Sequence, residues 1–221
     1  MSKPDSVILC LVDNDPTATL LITSTGEPLY AIRTQRSHPN STKETASPIA
    51  QPHATTTVCR LDRYQFTTGQ VETEIGVIRL DGLRDGLGLV HLRLDSNHLL
   101  EIGHAAPKLI ERHDTTTPEP EPGTDSLTVH DHSWTFTGPD KKQYIWQMFI
   151  QSPVLVLADQ SFVPLARYRR AKIGIVSRPR KASLEVFPPG IGLMDMVVVT
   201  FVAFMRFRVP TDLHAVEVLE G

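Results

Sequence analysis

Apolar and polar residues alternate along most of this chain with a period of two, the spacing of strands that bury one face. Ser6 to Val12 reads as a short apolar strand. Thr19 to Ile22 and Leu29 to Ile32 flank a turn at Thr25-Gly26-Glu27-Pro28. Glu72 to Leu80 alternates, and Leu87 to Leu94 places Leu87, Leu89 and His91 on one face. Ser126 to Thr137 and Gln143 to Gln151 are joined by Gly138-Pro139-Asp140-Lys141-Lys142, which predicts a hairpin with a five-residue loop. Pro153 to Ala158 and Phe162 to Lys172 form another pair around Asp159-Gln160-Ser161, and Ala182 to Phe187 is the last short strand. Many short strands at close spacing predict an all-β, mostly antiparallel barrel or sandwich. Amphipathic helices are nearly absent.

Gly192 to Arg208, GLMDMVVVTFVAFMRFR, breaks the alternation, and no residue from Met196 to Met205 is charged. A membrane span needs ~20 apolar residues, and Asp195 and Arg206 cut this run to about half of that. A buried strand suits the β-branched Val197-Val198-Val199-Thr200, but the run is long for a strand. A helix apolar on all sides has to be enclosed by protein, and that reading fits best.

Two stretches read as flexible insertions. Thr34 to Thr57 is rich in Ser, Thr, Pro, Asn and Gln and has almost no apolar anchor, so burial cannot offset the entropy of ordering it. Asp114 to Thr124 alternates proline with acid and should be extended and solvated. Pro210 to Gly221 reads as an acidic tail after a helix-stopping proline. Residues 1–209 then form a single domain, a length that can bury a real core.

Composition adds one asymmetry. The 221 residues carry a formal net charge of -3, from 22 basic and 25 acidic side chains, so no overall basic field draws in nucleic acid. Val163 to Pro210, however, holds nine basic and two acidic residues, a net +7 that leaves -10 on the rest. Arg167, Arg169, Arg170, Lys172, Arg178, Arg180 and Lys181 fall within fifteen residues that contain no acid. In a strand, Arg167 and Arg169 would share a face with Leu165, and Arg170 would share the other with Ala166 and Tyr168. A hairpin at Ser177 to Pro179 would bring Arg178, Arg180 and Lys181 beside the earlier cations. Arginine forks bind phosphate in bidentate fashion, so the patch suits an anionic phospholipid headgroup. The plainer reading is a solvated strand face, or arginines paired with acids elsewhere in the chain. Only Tyr168 could stack on a base, which ranks nucleic acid below lipid.

No reaction chemistry assembles. His130 and His132 would point the same way on a strand and could supply two metal ligands, but no third is specified; a surface strand with two histidines is the simpler reading. There is no G-x-S-x-G elbow, and Cys10 and Cys59 have no C-x-x-C spacing. The glycines around Asp81 to Gly88 lack phosphate-loop spacing and read as turns. Trp134, Tyr144 and Trp146 lie on paired strands and read as core. No cofactor motif is legible. Two cysteines are too few for a stapled secreted scaffold, and the apolar start near Val7 is too short for a signal-peptide core. Both point to an intracellular, cytoplasmic setting, with peripheral membrane contact at most.

FTGPDKKQYIW (Phe136 to Trp146), PLARYRRAKIGIV (Pro164 to Val176) and ASLEVFPPGIGLMDMVVVTFVAFMRF (Ala182 to Phe207) resemble an uncharacterised fungal domain family of unknown function. The order of elements in that family is similar to the tubby C-terminal and phospholipid-scramblase-like fold. The resemblance implies a closed β-barrel threaded by a hydrophobic C-terminal helix, with Met194 to Arg206 as that helix. Tubby relatives bind phosphoinositides through basic surface residues, which by analogy of fold alone points to the Arg167 to Lys181 cluster. The expected function is therefore a non-enzymatic module binding anionic headgroups through those seven cations. The alternative is a protein-interaction scaffold that uses the 34–57 and 114–124 loops.

Overall fold

The computed structural model describes residues 5–36, 54–63, 70–80, 88–93, 99–104, 108–109, 132–150, 152–159, 163–172, 174 and 179–217. Thirteen strands form one antiparallel sheet. In the first half they are β1 (Val7–Leu11), β2 (Thr19–Ile22), β3 (Pro28–Arg36), β4 (Ala54–Arg63), β5 (Gln70–Leu80), β6 (Gly88–Arg93) and β7 (Leu99–His104). The second half adds β8 (Lys108–Leu109), β9 (His132–Thr137), β10 (Gln143–Phe149), β11 (Ser152–Leu157), β12 (Pro164–Arg169) and β13 (Ser183–Val186). A 3-10 turn, Pro188–Leu193, leads into the helix α1 (Met194–Glu217). Neighbours in the sheet are neighbours in sequence except at one seam, where β1 pairs with β13 and joins the two meanders.

The local chemistry of the turns explains much of this register. Between β2 and β3, Gly26 takes a φ of 88°, a conformation that costs glycine nothing. The Thr23 amide donates to the Glu27 carbonyl at 2.8 Å, and the Glu27 amide donates to Thr23 Oγ1 at 3.0 Å. Between β9 and β10 the predicted five-residue loop is present, closed by the Gly138 amide donating to the Lys142 carbonyl at 2.8 Å.

α1 is the core. Every residue from Met196 to Met205 is buried, with Val197, Val198, Val199 and Thr200 fully so. The sheet curls around it. Trp146 and Tyr168 lay their rings against Phe201 with centroids 6.0 and 5.0 Å apart, and Trp134 meets Phe207 edge-on at 6.4 Å. At Gly76 on β5 a side chain would come within 2.5 Å of Val199, so only glycine lets strand and helix approach this closely. Pro188–Phe207 is long and apolar enough to cross a bilayer, yet protein takes the place of lipid around it.

The closed barrel is not what forms. β7 and β8 are the two edges of an open sheet. β7 comes near β9, but among the described residues no ladder joins them. β8 offers only Lys108 and Leu109 for pairing, too little backbone to carry a closing seam. The sheet can therefore surround the helix without sealing, because burying α1 requires side chains on every flank and no final row of hydrogen bonds.

The insertion expected at 34–57 is shorter than composition implies. β3 runs to Arg36 and β4 starts at Ala54, in register through Thr34↔Thr56, Gln35↔Thr55 and Arg36↔Ala54. A hydroxyl pair between Thr34 and Thr56 at 2.8 Å shows how polar β-branched residues can serve a strand. The 114–124 segment lies outside the described residues. α1 continues past Pro210 to Glu217, so the proline does not end it.

Candidate functional site

The described part of the basic segment lies on the convex face of β12, β13 and β1. Alternation along β12 sends Ala166 and Tyr168 inward, where both are buried, and leaves Arg167 and Arg169 outside. Leu165 does not share the face of Arg167 and Arg169 as expected. It is skipped between the pairs Leu155↔Ala166 and Val156↔Pro164 and is buried as a bulge beneath the 3-10 turn. Arg170 does not join Ala166 and Tyr168 either, because β12 ends at Arg169 and Arg170 is exposed.

The two ends of the segment come together. Lys172 and Arg180 form a backbone bridge, with amide–carbonyl distances of 2.9 and 3.2 Å, and the Arg180 guanidinium donates to the Arg170 carbonyl at 3.1 Å. Arg169 lies opposite Ser183, which lies opposite Cys10. The result is a groove of about 260 Å³ lined by Ile8, Cys10, Arg169, Arg180, Lys181, Ser183 and Glu185. Arg169 donates to Glu185 at 2.6 Å, so the single acid among the lining residues is already engaged. The Nε atoms of Arg167 and Arg169 are shielded from solvent and find no acceptor among the described residues. Buried donors on a cation are costly to leave unmet. Of the seven expected cations, the structure groups Arg169, Arg180 and Lys181 in the groove. It places Arg167, Arg170 and Lys172 around it, and Arg178 lies outside the described residues.

Sequence reasoning missed Ile8, Cys10, Ser183 and Glu185. Only the β1–β13 seam brings them to the cations, and no local pattern announces a pairing between strands about 175 residues apart. Glu185 alone left a signal, as the one acid alternating within an apolar strand.

A second recess of about 340 Å³ opens where α1 begins, lined by Leu92, Arg93, Pro139 and residues 191–196. Its polar groups are satisfied within the protein. Asp195 accepts from the Tyr30 hydroxyl at 2.8 Å and from the Arg60 guanidinium at 2.7 Å, and Arg60 also donates to Asp62 at 3.0 Å. Burial, reinforced by the Asp195 carboxylate, holds the Tyr30 hydroxyl well above its ordinary value. Asp195 also suits the first turn of a helix, whose free amides favour negative charge. This network fastens the helix to β3 and β4.

His130 lies outside the described residues and His132 opens β9. Among the described residues no three potential ligands gather for a metal. Cys59 is buried and its thiol is pushed up by burial and by nearby Glu72, away from the reactive thiolate.

The sequence model of a family of unknown function, DUF6593, matches residues 14–209, which takes in most of the chain. The chain belongs to DUF6593. The matched span covers β2 to β13 and the buried part of α1; it takes in the β12–β13 side of the cation groove, while Ile8 and Cys10 of β1 precede it. No curated protein and no solved structure matches the chain.

Proposed function

We propose that this DUF6593 chain is a binding module that docks peripherally on anionic phospholipid headgroups through the groove between β12, β13 and β1. The observation that supports the reading is the convergence of Arg169, Arg180 and Lys181 on a groove where the one lining acid among the described residues is taken up by Arg169. A phosphate diester presents oxygens that two guanidinium forks and an ammonium can share, and Arg167, Arg170 and Lys172 extend the positive field around the contact. Peripheral binding of this kind would hold the protein at the cytoplasmic leaflet of a membrane, where anionic lipids concentrate. A fungal origin and a tubby- or scramblase-related ancestry belong to the same proposal. The first rests on the residue blocks Phe136 to Trp146, Pro164 to Val176 and Ala182 to Phe207, the second on the order of elements and not on a closed barrel.

Arg180→Glu with Lys181→Glu is the clean test, since neither side chain is buried or ion-paired among the described residues. Co-sedimentation with phosphoinositide-containing vesicles should weaken by at least roughly thirtyfold, taking about 1 kcal/mol per cation near an anionic surface. The melting temperature should stay close to that of the parent. Equal binding of the parent to neutral vesicles would overturn the reading.

A further inference from the structure

The β10–β11 hairpin ends in a feature that neither packing nor turn geometry explains. Phe149 pairs with Ser152, so two residues separate the paired ends of the two strands in the sequence. Such connections ask for positive φ at the first position and favour Asn, Asp or Gly there. Ile150 occupies it instead, with φ 44° and 83% of its surface exposed. A β-branched residue is among the least suited to that conformation, and here it buries almost nothing in return. Phe149 beside it is 58% exposed.

Register places this tip at the cationic end of the sheet. Val154 lies opposite Arg167, so β12 runs from there toward the end of the hairpin that carries Ile150 and finishes at Arg169. Arg169 faces Ser183, which puts Lys181 and the Lys172–Arg180 bridge at the same end. Val12 and Leu20, two further exposed apolar residues, close that end beside the start of β13. Asp13 and Asp15 also sit there in the β1–β2 turn, where Asp15 is engaged by the Thr17 amide and hydroxyl at 2.8 and 2.7 Å. An apolar point flanked by arginines and lysines is complementary to an anionic bilayer, with hydrocarbon below and phosphate around.

We infer that the Phe149–Ile150 tip inserts into the acyl boundary of an anionic bilayer while the neighbouring cations hold its headgroups. This inference rests on the headgroup-binding reading and adds the depth and orientation of docking. The molecule stands with the end at which β10 and β12 finish toward the lipid. The same end carries Arg206 of α1, which donates to Thr34 Oγ1 at 3.2 Å beside the β1–β2 turn.

The test is sedimentation of the full chain with phosphatidylcholine vesicles, with and without phosphatidylserine, at low and high salt. It compares the parent, the Arg180→Glu/Lys181→Glu variant and a Phe149→Ser/Ile150→Asn variant. Asparagine accepts positive φ, so the tip variant should melt no lower than the parent. Its partition into anionic vesicles should fall by roughly tenfold or more, and what binding remains should vanish at high salt, since only the electrostatic part survives. Unchanged partition of the tip variant, with binding lost in the charge-reversed one, would overturn insertion and leave headgroup binding standing. No binding of the parent to anionic vesicles would overturn both. If light scattering shows that the tip variant loses self-association while vesicle binding is unchanged, the tip is a contact between two copies and the inference fails.

Discussion

The two faces of this one sheet treat polar groups in opposite ways. On the concave face, the polar groups at the start and middle of the helix are paired with one another. Asp195 is held by Tyr30 and Arg60. Trp146 Nε1 donates to Thr200 Oγ1 at 3.0 Å, and that hydroxyl donates to the Met196 carbonyl at 2.7 Å. Trp134 Nε1 is the one buried indole left without a partner among the described residues. On the convex face over β12, β13 and β1, three cations share a groove with one acid among the described residues. Balanced polar groups lock a structure, whereas a surplus of one sign at an open groove is capacity for a partner of the other sign.

That contrast can be broken most forcefully from inside. Val198→Asp puts a charge where exposure is 0%, and it should cost several kcal/mol, about enough to unfold a typical domain. A soluble variant with a normal denaturation midpoint would mean that the helix is not enclosed. A milder test is Thr200→Val, which keeps the volume but strands the Trp146 indole N–H. The expected loss is ~1–3 kcal/mol in urea unfolding, and the same substitution should cost much less when made in a Trp146→Phe background, whose own cavity cost is subtracted, since no indole donor is then left to strand.

The smallest effect concerns pH. Burial raises the hydroxyls of Tyr30, Tyr144 and Tyr168 above their ordinary value of 10.0, with help from Asp195 at Tyr30 and from Asp140 at Tyr144. The folded chain therefore keeps protons that the unfolded chain releases, so this stability is full below pH 10 and falls as pH rises beyond it. Tyr30→Phe should cost about 1 kcal/mol at neutral pH and make the alkaline decline shallower. An identical pH profile in parent and variant would contradict the buried phenol.

Much of the strand pattern could be read from residues alone. Thr19 to Ile22 coincides with β2, and the Gly138 to Lys142 loop closes as its turn residues predict. The failures have physical causes. β4 was hidden because Thr55, Thr56 and Thr57 look like linker, and only their pairing with β3 and β5 gives those threonines a reason to be extended. β7 and β8 carry too little alternation to announce themselves. Of the groove, the cations were visible as a run of charge. Their neighbours Cys10 and Ser183 were not, because register between distant strands leaves no local trace.

What the residues determined by themselves is the demand for enclosure: ten uncharged positions with no polar face can be stable in water only when surrounded. How that demand was met was decided by tertiary structure. An open sheet suffices, because hydrophobic burial is non-directional and is satisfied by proximity on all flanks, whereas sealing a barrel needs a hydrogen-bonded seam that two residues of β8 cannot supply. The same division holds for charge. Sign and number were written in the chain, but whether cations meet acids or are left facing a groove depended on which strands became neighbours.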